Sequence, residues 1–301
     1  MLMLARVSGL RRTFSSSTST VELACTPITS PSARGLPVIF LHGLLGSATN
    51  FRTVQQATAR SRPTFAFDLR NHGRSPHASG ATLDALSLDV IASIEKLGIS
   101  KTSGGVTLVG HSLGGKIAMR LSQMRPDLIA SLVVIDIAPV AYNSDNNVGW
   151  KSVQNVVRAA SELDPSPFRT RAEVEAALAL YVPEPGVRSF VAQNLVPRTN
   201  PSEGYVWRIN FKNIIEALPD YAGWSSELPE GVTLSTVAAT TSLDTHFIAG
   251  ELSPYIAPTH ETAILHLFPK AKIHVIKGAG HWVHADKPKE FWLLLASLLG
   301  L

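Results

Sequence analysis

A serine flanked by two glycines lies between an apolar run and a helical pattern. The pentapeptide Gly110-His111-Ser112-Leu113-Gly114 follows the apolar residues 106–109 and precedes residues with helical spacing. Glycines on either side allow the backbone to bend tightly, so that the serine hydroxyl projects from a strained turn. Such a serine can attack a carbonyl carbon when a base and two amide donors lie beside it. The pentapeptide therefore predicts Ser112 as a nucleophile, provided that the rest of the chain supplies those groups.

A general base for this serine is predicted near the end of the chain. His281 lies in Gly278-Ala279-Gly280-His281-Trp282, directly after the last predicted strand. A glycine-flanked loop at the carboxyl end of a strand can hold an imidazole close to a serine hydroxyl. We expect His281 to be the base, His111 to pack within the turn and His72 to shape a loop.

Two carboxylates are candidates for the acid that orients the base. Asp136 ends a strand otherwise built from Leu, Val and Ile, where a carboxylate is costly to bury without a partner. Glu251 follows the penultimate predicted strand, in Gly250-Glu251-Leu252-Ser253-Pro254. The residues favour Asp136 and leave Glu251 as the alternative.

The first buried strand ends at a loop that can supply an amide donor. Its sequence is His42-Gly43-Leu44-Leu45-Gly46. Acyl transfer requires backbone amides aimed at the oxyanion that develops during attack. We assign these donors to the amides of Leu44 and of Leu113, the residue after the nucleophile.

Composition excludes several classes of protein. The formal net charge of +4 falls to +1 beyond Arg6, Arg11 and Arg12, which precede the first acidic residue, so no basic surface for nucleic acid is expected. The single cysteine, Cys25, excludes an internal disulfide and a cysteine-based metal cluster. Neither a metal nor an organic cofactor is implied.

The first twenty residues resemble a mitochondrial presequence. They are rich in Arg and Ser, contain no acidic residue and place apolar residues along one helical face. We expect residues 1–20 to be a leader that directs the chain to the mitochondrial matrix. No apolar run reaches the roughly 18 residues of a membrane span, so no span is expected.

Short apolar strands alternate with amphipathic helices along most of the chain. Strands are predicted over 37–42, 64–68, 106–109, 132–137, 245–249 and 271–276, with helices between them. The alternation predicts an α/β fold with a mostly parallel, doubly wound sheet. Residues 139–241 contain helical patterns and proline-rich loops without a convincing apolar strand. We interpret them as a helical cap inserted into a core formed by residues 21–138 and 242–301.

The order of these motifs along the chain, from about Val21 to Leu301, resembles that of the alpha/beta-hydrolase fold superfamily. The segments Asp68-Leu69-Arg70-Asn71-His72-Gly73-Arg74-Ser75, Gly110 to Lys116, Asp136 to Pro139 and Gly280 to Pro288 are similar to a narrower group. That group is the abhydrolase domain-containing protein 11 type, with bacterial short-chain esterases and fungal mitochondrial ethanol acetyltransferases as relatives. The resemblance implies a triad of Ser112, Asp136 and His281.

The sequence and the resemblance together imply a serine hydrolase acting on small to medium acyl esters or thioesters. The resemblance also implies an alternative, in which an alcohol takes the acyl group from acetyl-CoA. A third reading, of another class, is a hydrolase-fold protein that binds or protects a mitochondrial complex. It implies a mitochondrial protein partner.

Aromatic residues of the cap are candidates for the walls of an apolar substrate pocket. Aromatic side chains in a helical lid also build its own core. The candidates are Trp150, Tyr181, Trp207, Phe211 and Trp224.

Overall fold

A mostly parallel sheet forms the centre of the protein. The computed structural model describes residues 19–99, 104–143, 147–200, 203–225, 227 and 241–301. Seven strands are ordered β1-β3-β2-β4-β5-β8-β9, with β1 antiparallel to β3 and the other neighbours parallel. They are β1 (Cys25–Ile28), β2 (Val38–Leu41), β3 (Thr64–Phe67), β4 (Val106–His111), β5 (Ile129–Ile135), β8 (Asp244–Gly250) and β9 (Lys272–Ile276). The predicted α/β fold with a mostly parallel sheet is confirmed.

Strand register brings the loops that carry the site to one edge of the sheet. Leu41 at the end of β2 pairs with Gly110 of β4, and Ile135 at the end of β5 pairs with both His111 and Ile248. Every residue of β2 and β4 is buried, as expected for strands covered on both faces. When neighbouring parallel strands end at the same edge of a sheet, the loops that follow them lie close together. Ligands of such sheets bind at that edge.

Helices cover both faces of this sheet. One buried apolar cluster contains residues of the helices Leu83–Lys96 and Leu113–Met124, and a second contains residues of the helices Arg52–Thr58 and Pro288–Leu298. Thr82 caps the helix Leu83–Lys96, because its hydroxyl accepts a hydrogen bond from the Ala85 amide at 3.2 Å. The helices that flank the central sheet are α1 (Arg52–Thr58), α2 (Leu83–Lys96), α3 (Leu113–Met124), α8 (Glu261–Leu267), α9 (Val283–Asp286) and α10 (Pro288–Leu298).

Between β5 and β8 the chain is mainly helical but contains two strands. The helices are α4 (Val148–Glu162), α5 (Arg171–Leu178), α6 (Pro185–Ala192) and α7 (Phe211–Ala222). An antiparallel pair joins β6 (Leu195–Pro197) to β7 (Tyr205–Trp207). The sequence analysis, which found no convincing apolar strand in residues 139–241, did not identify this pair. Strands of three residues, one of them ending in proline, are too short to produce a readable alternation.

A buried lysine joins α3, beside the central sheet, to the mainly helical segment between β5 and β8, which is called the helical interval below. The Lys116 side chain is 1% exposed, and Nζ donates to the carbonyl oxygens of Tyr221 and Gly223 at 2.8 and 2.7 Å. Two further carbonyls, of Ala222 and Val140, accept from it at 3.0 and 3.2 Å. The first three lie at the carboxyl end of α7, where helical carbonyls lack partners within the helix. Lys116 thereby fixes the end of α7 against α3.

The predicted presequence lies outside the described residues except for Ser19 and Thr20. Among the described helices, none has both the length and the apolar character that a membrane crossing requires.

Two buried histidines hold the loop that follows β2. His72 Nε2 accepts from the Leu45 amide at 3.1 Å, and its Nδ1 lies 2.9 Å from the Arg70 carbonyl. His42 Nε2 accepts from the Leu69 amide at 2.9 Å. Each ring thus uses one nitrogen as an acceptor, which requires the neutral form. Burial lowers the pKa of His72 to about 3, consistent with those bonds.

The buried neutral histidine makes stability depend on pH. Between about pH 6.5 and 3 the unfolded chain binds a proton at residue 72 and the folded chain does not, so stability falls as the pH drops. From about pH 7 to about pH 5, this residue alone lowers the free energy of unfolding by about 2 kcal/mol. Urea unfolding of the wild type and of His72→Gln at both pH values measures the difference. Equal losses in the two proteins would contradict the assignment.

Candidate active site

Ser112 lies at the sharp turn between β4 and α3. Its backbone has φ 51° and ψ −116°, a strained conformation for a residue with a side chain. The Ser112 amide donates to the Ile135 carbonyl at 2.9 Å, which holds the turn against the end of β5. A Cβ atom at Gly110 would collide with the backbone of Gly114, so the turn requires glycine there. The strained turn between a strand and a helix that the sequence predicts is present at Ser112.

A short hydrogen bond joins His281 to Asp136. His281 Nδ1 lies 2.7 Å from Asp136 Oδ2, and the aspartate side chain is fully buried. The other carboxylate oxygen, Oδ1, accepts from the Gly250 amide at 3.0 Å, and the Ser253 hydroxyl also donates to Oδ2. Because the ionised carboxylate only accepts, the imidazole proton lies on Nδ1. This leaves Nε2 of His281 free to act as a base.

The alternative acid, Glu251, lies elsewhere. Its side chain is exposed, and Oε2 accepts a hydrogen bond from the Gly278 amide at 2.8 Å. The geometry thus brings Asp136, rather than Glu251, to the imidazole. Asp136 reaches it through a left-handed backbone with φ 52°, and its amide donates to the Ile248 carbonyl at 2.8 Å.

The two residues whose amides are assigned to the oxyanion hole line the same small recess beside Ser112. Leu44, Ser112 and Leu113 all line it, and Leu113 is the first residue of α3. The amide of a first helical residue has no acceptor within its helix. Within the described ranges, neither the Leu44 nor the Leu113 amide donates to a protein acceptor. Both N–H groups are therefore available to a ligand oxygen.

Aromatic rings surround the imidazole. The Tyr255 ring centroid lies 4.2 Å and the His111 centroid 4.7 Å from that of His281. His111 Nε2 lies 2.9 Å from the His281 carbonyl oxygen, to which it donates. Burial holds the pKa of His111 well below its ordinary value, so this neighbour stays neutral. Ser253 and Tyr255 were not predicted from the sequence, because neither lies in a recognisable motif.

The main cavity beside Ser112 has a volume of about 260 Å³. Its walls include apolar side chains of α4 and α6, such as Val153, Val156 and Phe190, together with His281 and Trp282 of the loop after β9. This size lies just below the range typical of pockets for drug-sized ligands. Within the described part of the chain, no cluster of three or more His, Cys, Asp or Glu residues is arranged to hold a metal ion.

The five aromatic candidates of the helical interval fall in different places. Trp150 is buried and lines a small recess next to Ser112. Trp207 and Phe211 pack edge to face with centroids 5.5 Å apart, and Tyr181 is 67% exposed. Trp224 packs against the buried core. Of the five, only Trp150 lines a space next to Ser112.

Known proteins share this fold and much of this sequence. Residues 37–288 match the family model for the alpha/beta hydrolase fold. The Mus musculus protein named sn-1-specific diacylglycerol lipase ABHD11 is 35% identical over 265 residues, which cover 87% of this chain and 80% of that protein. Ethanol acetyltransferase 1 of Eremothecium cymbalariae is 30% identical over 271 residues, covering 85% of this chain and 72% of the relative.

A solved structure extends the similarity to three dimensions. The structure titled marine microorganism esterase matches with a TM-score of 0.82 and 30% identity, covering 92% of this chain and 99% of that one. The family predicted from the order of the motifs is thereby confirmed. The chain belongs to the alpha/beta hydrolase fold family.

Proposed function

We propose that this protein is a serine hydrolase that cleaves small to medium acyl esters or thioesters through an acyl-enzyme on Ser112. The observation that carries the proposal is the 2.7 Å bond between His281 Nδ1 and Asp136 Oδ2, with His281 lining the same cavity as Ser112, which is held in a strained turn. Relatives named as a lipase and an esterase support ester hydrolysis.

The geometry assigns a role to each group. His281 Nε2 takes the hydroxyl proton as Ser112 Oγ attacks the acyl carbon, and Asp136 stabilises the imidazolium that forms. The amides of Leu44 and Leu113 donate to the oxyanion of the tetrahedral intermediate. His281 then gives its proton to the leaving oxygen or sulfur. Water, activated by the same imidazole, attacks the acyl-enzyme and releases the acid.

The two carboxylates provide a matched test of this assignment. Asp136→Asn preserves the side-chain shape but favours the wrong tautomer of His281, so kcat should fall on the order of 10³–10⁴-fold. Glu251→Gln makes the same chemical change at an exposed side chain and should leave kcat within about twofold. Hydrolysis of p-nitrophenyl acetate by the purified variants measures both. A larger loss in Glu251→Gln than in Asp136→Asn would assign the acid to Glu251.

Transfer of the acyl group to an alcohol is a second candidate. The observation that favours it is the relative named ethanol acetyltransferase 1, which is 30% identical. Hydrolysis and alcoholysis share every group described above and differ only in the acceptor. Incubation with acetyl-CoA and ethanol, followed by gas chromatography, separates them. We expect free acetate as the main product, whereas ethyl acetate in excess over acetate would favour the transferase.

We also propose that residues 1–20 direct the protein to the mitochondrial matrix, where any protein partner would be found. The support is compositional: three arginines, several serines and no acidic residue. A fluorescent protein fused to residues 1–20 should enter mitochondria, and the same fusion with Arg6, Arg11 and Arg12 replaced by Gln should not. Diffuse fluorescence from the unmodified fusion would refute the proposed localisation.

A further inference from the structure

The loop that carries the Leu44 amide contains a strained leucine. The Gly46 amide donates to the Gly43 carbonyl at 3.0 Å and closes a turn over residues 43–46. The third residue of this turn, Leu45, has φ 61° and is buried. Turns with a positive φ at this place usually have glycine or asparagine there, because a left-handed backbone brings Cβ close to a carbonyl oxygen. Contacts from outside the turn must therefore hold Leu45 in this conformation.

The amide and the carbonyl of Leu45 are each bound by a buried side chain. The amide donates to Nε2 of His72, in the loop after β3, at 3.1 Å. The carbonyl accepts from Nδ2 of Asn194 at 2.8 Å, and this asparagine belongs to the helical interval. Within the described ranges, no other hydrogen bond reaches the Leu45 carbonyl. Without the Asn194 side chain that carbonyl would be buried and unpaired, and the strained turn would lose one of its two supports.

The same turn fixes the direction of the oxyanion donor. The Gly43 carbonyl accepts from the Gly46 amide at 3.0 Å and from His42 Nδ1 at 2.8 Å, and so points into the turn. In a trans peptide the N–H points opposite to the C=O of the same group, so the Leu44 N–H is directed away from these donors. Leu44 lines both the main cavity and the recess beside Ser112.

The chain is held on either side of the turn, so a change at Leu45 must be absorbed within it. Before the turn, His42 Nε2 accepts from a backbone amide of the loop after β3 at 2.9 Å. After the turn, the Ala48 amide donates to Asp68 Oδ1 at 2.7 Å. Relaxation of Leu45 to a negative φ would rotate the peptide groups between these anchors, including the one that carries the Leu44 N–H.

Asn194 links this turn to a wall of the active-site cavity. It lies two residues after α6, whose Val187 and Phe190 line that cavity. Its backbone amide and Nδ2 both donate to the Val191 carbonyl of the same helix, at 3.0 and 3.3 Å. The segment that contacts a bound substrate is therefore also the segment that holds Leu45.

From these contacts we infer that Asn194 is a positioning residue, which holds Leu45 in its strained conformation and thereby keeps the Leu44 amide directed at the oxyanion. The helical interval then contributes to kcat as well as to substrate binding. This inference rests on the proposed function, because it assumes attack by Ser112 and an oxyanion that the Leu44 amide stabilises.

Removal of the Asn194 amide group tests the inference in the full-length protein. Asn194→Leu keeps the size of the side chain but cannot donate. For p-nitrophenyl acetate, kcat should fall on the order of 10- to 100-fold and KM should change less than about threefold, since the donor is misdirected rather than removed. Affinity for a trifluoromethyl ketone should fall by about the same factor as kcat, because its adduct with Ser112 carries the oxyanion. A loss confined to KM, or an unchanged affinity for the ketone, would overturn the inference.

Asn213→Leu is the matched control for this measurement. Asn213 also lies in the helical interval and donates to the core, from Nδ2 to Asn71 Oδ1 at 3.2 Å. Among the described residues, its side chain bonds to none of residues 43–46. Asn71 keeps its two bonds to Ala78, so kcat and affinity for the ketone should stay within about twofold of the wild type. Equal losses in the two variants would indicate general loosening of the helical interval and overturn the inference.

Leu45→Gly separates positioning from general support of the fold. Glycine adopts a positive φ without strain, so the turn then no longer depends on the bond from Asn194. In this background Asn194→Leu should lower kcat less than about threefold. A loss of kcat as large as in the Leu45 protein would contradict the assigned role. If Asn194→Leu fails to fold, Asn194→Asp, which keeps the shape and replaces the donor by an acceptor, gives the same comparisons.

Failure of the proposed function gives a different result from failure of this inference. A wild-type protein that neither hydrolyses p-nitrophenyl acetate nor binds the trifluoromethyl ketone refutes the proposed function and this inference with it. An active wild-type protein whose kcat is unchanged by Asn194→Leu refutes only the role of Asn194.

Discussion

A fully buried carboxylate imposes the central constraint on this site. Removing the charge of Asp136 from water is costly unless hydrogen bonds compensate it. Three donors do so here, from His281, Ser253 and the Gly250 amide. They come from two parts of the chain, the end of β8 with the loop after it and the loop after β9, so the carboxylate is stable only when both meet the end of β5. The same bonds that solvate Asp136 therefore fix the orientation of the base.

The residues that directly follow two adjacent strands both have strained backbones. Ser112 follows β4 and Asp136 follows β5, and both residues have left-handed backbones. Parallel pairing aligns the two strand ends, and the amide of Ser112 donates to the last residue of β5. Strained residues persist only where surrounding structure determines them, and here the sheet does so. The positive φ at each residue turns its side chain away from the alternating directions of the strand residues before it. Both side chains therefore lie at the edge of the sheet where β4 and β5 end.

Much of this arrangement could be predicted from the sequence because its determinants are local. Apolar strands, the Thr82 cap and the glycines around Ser112 all depend on neighbouring residues. The choice between Asp136 and Glu251 follows from the cost of burying a carboxylate, and the geometry agrees with it. The order of His-Gly, the serine turn, the helical cap and the late histidine resembles that of the family, and the comparisons confirm the resemblance.

Features that depend on tertiary contacts could not be predicted in this way. Ser253 and Tyr255 act on Asp136 and His281 from a loop without a distinctive motif. The aromatic residues of the helical interval divide among core, surface and recess, which hydrophobicity alone cannot distinguish. The short pair β6 and β7 is stabilised by pairing rather than by a pattern within either strand. Which substrates fit likewise depends on how the helices between β5 and β8 pack around Ser112.

The central claim is that Ser112 is the nucleophile, activated by its neighbours in the fold. Reaction of the intact protein with a fluorophosphonate probe, followed by peptide mass spectrometry, tests it most directly. The account predicts one phosphonylated site, at Ser112, and no labelling of Ser112→Ala. A wild-type protein that stays unlabelled, or that carries the phosphonate on another residue, would contradict it.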